Sequence, residues 1–62
     1  MTIEEAKKLN SGDYVTFDGR KYKVVNIKER RAALSNEIYI EIKCQRGTNV
    51  MWTSNKWVDT CS

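Results

Sequence analysis

The hydrophobic pattern along this chain changes period once. Ile3, Ala6 and Leu9 recur at helical spacing behind Thr2-Ile3-Glu4-Glu5, which fits a capping box: the Thr2 hydroxyl accepts from the Glu5 amide and the Glu5 carboxylate reaches back. Lys7 and Lys8 fall late in this stretch, where the helix dipole favours cations, and Asn10-Ser11-Gly12 ends it. The pattern predicts a short helix over residues 2–10, too short to persist unless it packs on something.

From Asp13 the period becomes two. "DYVTF" and "KYKVVNIK" flank Asp18-Gly19, a strong two-residue hairpin signal, which sets Phe17 opposite Arg20 and Val15 opposite Tyr22. Val15, Tyr22 and Val24 then share a face. Val25 and Ile27 fall on the other parity, so the second strand either bulges near Val24-Val25 or is buried on both sides. Residues 29–36, "ERRAALSN", carry no strand pattern and read as a polar connection with Leu34 as an anchor. "EIYIEIKCQ" alternates cleanly, with Ile38, Ile40, Ile42 and Cys44 on one face and Tyr39, Glu41, Lys43 and Gln45 on the other.

The following turn decides the place of Trp52. A two-residue Arg46-Gly47 loop would set Glu41 opposite Trp52 and Lys43 opposite Val50, with both apolar side chains on the polar face. A three-residue Gln45-Arg46-Gly47 loop with a left-handed glycine shifts the register and puts Ile40 opposite Trp52. The second choice satisfies the apolar pattern and predicts Trp52 in the core. "TSNK" breaks the alternation and "WVDTC" resumes it as a last short strand, in which one of Trp57 and Val58 points inward and the other outward.

The chain thus reads as one mainly β domain over residues 1–62: a helix at 2–10, then five short strands at 13–60 in a partly open barrel. With 62 residues, such a domain is near the lower size limit for independent folding. The pattern over residues 12–60 resembles the SH3-like small barrels. "WTSNKWV" carries the most specific part of the likeness: Ser54, Asn55, Trp57 and Val58 match that family's last helical turn and strand, while Thr53 stands in place of a proline and Lys56 is an extra residue. The resemblance implies a buried Val58 and a Trp57 that lines a groove. "SGDYVTFDGRKYKVVNI" also resembles the opening of ribosomal and transcription-factor barrels of this class that touch RNA. As a stand-alone unit, the domain resembles small accessory proteins of bacteria or their phages.

Composition narrows the chemistry. There is no histidine, and no paired-carboxylate, nucleophile-elbow or phosphate-loop motif, so the expectation is a protein that is not an enzyme. Two cysteines cannot supply the four ligands of a structural metal site, so no metal or cofactor is expected. No apolar run approaches the roughly 18 residues of a membrane span. "MTIEEAKK" lacks the order of a signal peptide, which points to the cytoplasm and to Cys44 and Cys61 as free thiols. A barrel of this size leaves little room for a small-molecule pocket.

Binding remains as the function class. The reading ranked first is a protein-interaction module that uses Trp57 as an aromatic anchor, with Ser54, Asn55 and Tyr39 around it. The alternative is an RNA- or DNA-binding barrel, with Lys21 and Lys23 on the second strand and Lys28, Arg30 and Arg31 in a basic loop against phosphates. Eleven Lys and Arg against eight Asp and Glu give a modest positive balance. Protein ranks above nucleic acid because acids are interleaved with the bases along most of the chain, with Glu29 inside the Lys28–Arg31 run.

Overall fold

The structure, a computed structural model, describes residues 1–61. α1 (Ile3–Lys7) is shorter than the sequence pattern suggests, and the capping box holds it: Thr2 Oγ1 accepts from the Glu5 amide at 3.1 Å and Glu5 Oε1 accepts from the Thr2 amide at 3.0 Å. These bonds also favour the ionised carboxylate. The Thr2 backbone donor, followed by the Thr2 hydroxyl, lowers the Glu5 pKa. After Lys7 the chain leaves the helix, and Leu9 packs on the core from an irregular segment.

Five strands follow: β1 (Tyr14–Phe17), β2 (Arg20–Arg31), β3 (Ile38–Arg46), β4 (Asn49–Ser54) and β5 (Asp59–Thr60). They form one antiparallel sheet in the order β4-β3-β2-β1-β5, with β4 and β5 as its two edges. The β1–β2 hairpin has the predicted register, Phe17 opposite Arg20 and Val15 opposite Tyr22. Asp18 and Gly19 both lie at positive φ, 54° and 74°, as a type I′ turn requires. The bulge near Val24-Val25 is present as well. Val24 pairs with Cys44 and Asn26 with Lys43, leaving Val25 out of the ladder. One extra residue resets the parity, so Val24 and Ile27 come to the same face and both join the core.

Val15, Val24, Ile40, Ile42, Cys44 and Val58 are buried together with Ala6 of α1. Residues from β1 and from the approach to β5 thus meet those of β3, so the sheet curls around one core with α1 against β3. Burial raises the Cys44 thiol pKa, which keeps it protonated and unreactive at neutral pH.

Three expectations are corrected. First, β2 does not end at Lys28. Glu29, Arg30 and Arg31 continue it, paired with Ile40, Tyr39 and Ile38, so the basic segment is strand and not loop. Its polar composition hid the strand because the backbone ladder to β3 holds it there, not a buried face. Leu34 is correspondingly no anchor; it is fully exposed in the turn beyond. Second, the β3–β4 connection is a two-residue loop of Gly47 and Thr48, with Arg46 opposite Asn49. Lys43 then faces Trp52, and Met51, not Trp52, lies opposite Cys44 on the core side. Trp52 is 54% exposed. Third, the helix spans five residues and not nine.

Gly47 sits at φ 63° in the first loop position, where a type II′ turn wants glycine. Gly47→Ala places a side chain in the left-handed region, and the variant should lose about 1 kcal/mol. A urea midpoint equal to that of the parent would contradict this turn.

Candidate functional site

The strand ladders fix which side chains share the face turned away from the core. Residues directly opposite one another lie on the same face, so the rows can be followed across the sheet. Lys21 faces Thr16, and Lys23 links Tyr14 to Gln45 and Val50. Beyond the bulge, Asn26 links to Lys43 and Trp52, Lys28 to Glu41 and Ser54, and Arg30 to Tyr39. Five cations, Lys21, Lys23, Lys28, Arg30 and Lys43, thus share the outer face of β2 and β3 with Tyr14, Tyr39 and Trp52. Glu41 is the single carboxylate among them. Asp59 lies further off, on β5 opposite Thr16.

The acids that interrupt the basic runs in the sequence go elsewhere. Glu29 falls on the opposite parity from Lys28 and Arg30 and pairs with Lys7 of α1 at 3.4 Å. Glu37 pairs with Lys56 at 3.0 Å. Asp13 is bound to the Asn10 amide at 2.8 Å, and Asp18 sits at the hairpin tip. Glu41 stays, 3.5 Å from Arg30 Nε, and Asp59 remains at the β5 edge of this face, with Oδ1 3.9 Å from the Met1 nitrogen.

Two open grooves mark this surface. The larger, about 650 Å³, joins Tyr39, Glu41 and Trp52 of the outer face to Lys56 and Trp57 and to Phe17 and Thr53, which have core-side parity. Lys43 Nζ lies 5.6 Å from the Trp52 ring centroid, a cation–π contact that steadies the indole while leaving much of it open. The smaller, about 390 Å³, lies between the β1–β2 hairpin and the β3–β4 turn.

The expected protein-binding residues divide. Trp57 is 71% exposed while Val58 is buried, which settles the alternative left open by the alternation. Ser54 makes the turn that throws Trp57 outward: its carbonyl accepts from the Trp57 amide at 3.1 Å and its hydroxyl from the Lys56 amide at 3.3 Å. Tyr39 is half-buried on the outer face beside the groove. Asn55 does not belong with them. It is 5% exposed, its Oδ1 accepts from the Ile40 amide at 2.9 Å, and its Nδ2 donates to the Met1 carbonyl at 3.2 Å. The Asn55 backbone N–H donates to Ile40 O at 3.0 Å, and its carbonyl accepts from the Met1 nitrogen at 2.7 Å. This asparagine closes the fold and offers nothing to a partner.

Of the expected nucleic-acid residues, Lys21, Lys23, Lys28 and Arg30 share the outer face. Arg31 does not; it pairs with Ile38 on the other parity, with Nη1 3.5 Å from Asn36 Oδ1. The sequence reading missed Trp52 and Lys43. Reading Gly47-Thr48 as a glycine-first type II′ loop would have found both, since that register sets them opposite each other.

No group of three or more acidic, cysteine or histidine side chains is placed to hold a metal ion among the described residues. No helix among them is long and apolar enough to cross a membrane. Comparison with protein-family models, curated proteins and solved structures finds no match for the chain.

Proposed function

We propose that this protein is a non-catalytic binding module that takes single-stranded nucleic acid on the outer face of its sheet. The observation that carries the reading is the sorting of charge: among the described residues, five cations and two carboxylates, Glu41 and the edge residue Asp59, share one surface with Tyr14, Tyr39 and Trp52. Cations about 7 Å apart along a strand repel by about 0.6 kcal/mol per neighbouring pair in water. The Lys21–Tyr14, Lys43–Trp52 and Arg30–Glu41 contacts offset part of that repulsion, and a polyanion relieves the rest. Exposed aromatic faces add a reason to favour single strands, whose unpaired bases stack on them regardless of sequence. The strand order and the bulged, twelve-residue β2 support an SH3-like reading of the sheet, and the resemblance to barrels of that class that touch RNA points the same way. The proposal places the chain in the cytoplasm, as a small accessory protein of the bacterial or phage type.

A protein partner is the second reading, and one observation favours it. Trp57 projects from a turn where Lys56 is already neutralised by Glu37, so that end of the larger groove is aromatic and nearly uncharged.

Fluorescence anisotropy with labelled single-stranded RNA and duplex DNA at about 50 and 200 mM salt separates the two. Each phosphate contact to a single strand contributes about 0.7 to the salt slope, so four contacts weaken binding roughly 50-fold over that range. The expected result is preference for the single strand and a loss of that order. No binding at the lower salt would remove the nucleic-acid reading and leave the protein partner.

A further inference from the structure

We infer that the smaller groove is a dedicated phosphate subsite, which holds the backbone of a strand whose bases stack in the larger groove. The inference rests on the nucleic-acid reading above and deepens it. The groove is lined by Tyr14, Lys21, Lys23, Gln45, Arg46 and Gly47, three cations with no carboxylate among them. None of these three cations is in an ion pair among the described residues. The larger groove is the opposite case. Its Lys56 is paired with Glu37 and its Glu41 with Arg30, while Tyr39, Trp52 and Trp57 supply its surface. Among the lining charges, the paired ones lie with the tryptophans and the unpaired ones lie in the other groove, while Lys43, beside Trp52, lines neither. That is the division of labour a single strand needs, since stacking is tolerant of sequence and phosphate contacts supply the electrostatic attraction.

The smaller groove is also held in shape. Lys21 Nζ sits 4.4 Å from the centroid of the Tyr14 ring, which keeps the ammonium against the groove wall instead of free in solution. Gln45 Nε2 donates to the Gly47 carbonyl at 2.8 Å and so ties the β3–β4 turn that forms the far side. The two grooves are near neighbours. Lys23 and Trp52 lie in adjacent rows and two strand spacings apart, about 10 Å across the sheet and about 7 Å along it. One strand of a few nucleotides reaches both, at about 3.4 Å per stacked nucleotide.

The test compares Lys21→Glu/Lys23→Glu with a control of equal charge change off this face, Lys8→Glu/Arg31→Glu. All four residues are exposed, so both variants should fold, and circular dichroism checks that they do. The probe is labelled dodeca-uridine, with the salt slope of binding as the readout. Loss of two phosphate contacts should reduce the slope by about 1.4 in the groove variant and leave it unchanged in the control. Quenching of tryptophan fluorescence at saturation should persist in the groove variant, because the stacking end is intact. An equal fall in both variants would mean a general field effect and would overturn the subsite, as would an unchanged slope in the groove variant. If the parent protein binds no oligonucleotide, the nucleic-acid reading itself falls and the subsite goes with it. A parent that binds normally beside an indifferent groove variant removes the subsite alone.

Discussion

Asn55→Ala should be among the most damaging single changes in this chain, although it removes only an amide. The Asn55 Oδ1 is the acceptor for the buried Ile40 N–H, and its Nδ2 holds the Met1 carbonyl. Alanine leaves the Ile40 donor without a partner beside the core, which costs about 1–3 kcal/mol. A domain of this length has roughly 3–9 kcal/mol of stability in total. The loss is therefore a large fraction of what there is, and the urea midpoint should fall accordingly. Ser54→Ala, which removes one partly exposed hydroxyl contact to the Lys56 amide, should stay within about 0.5 kcal/mol of the parent. Equal midpoints for Asn55→Ala and the parent would mean that the Ile40 amide has another partner.

The contrast between Asn55 and its neighbours shows where the sequence is readable. Local chemistry was legible: the Thr2–Glu5 box, the Asp18-Gly19 turn, the alternation from Ile38 to Cys44 and, as one of two alternatives, the bulge after Val24 each depend on residues close in the chain. Trp52 was not, because its face depends on the register of the β3–β4 turn, and the observed Gly47-Thr48 loop is neither of the two weighed, Arg46-Gly47 and Gln45-Arg46-Gly47. The apolar pattern argued for the three-residue loop, which gives the wrong face. A tryptophan beside aliphatic strands looks like core until Met51 is seen opposite Cys44.

The candidate site was hidden by the same parity. Read as a loop, "KER" is a basic run broken by an acid. In a strand, Lys28 and Arg30 share one face, and Glu29 goes to the other, where Lys7 meets it. Nothing in the composition of residues 29–31 signals a strand; the pairing with Ile38–Ile40 makes it one. The charge sorting that changes the ranking of the two binding readings is therefore a property of the sheet and cannot be read from the order of charges along the chain.

Trp52→Ala should separate binding from stability more cleanly than any other change. On the outer face the indole is half-exposed, and its specific contact is the Lys43 ammonium, worth about 0.5–1 kcal/mol at an exposed site. The variant should therefore fold, with a urea midpoint clearly above that of Asn55→Ala. Its affinity for single-stranded RNA should fall about 5- to 150-fold, the equivalent of the 1–3 kcal/mol that one stacked base contributes. Because stacking carries no charge, the salt slope should stay at its parental value while the affinity drops. Trp52→Phe, which keeps a ring face, should recover much of the loss. Two results would count against this account, in different ways. Unfolding of Trp52→Ala would return the tryptophan to the core and with it the three-residue loop. A folded Trp52→Ala with undiminished affinity, beside a Trp57→Ala that fails to bind, would move the aromatic contact to the turn after β4 and favour the protein-partner reading of the larger groove.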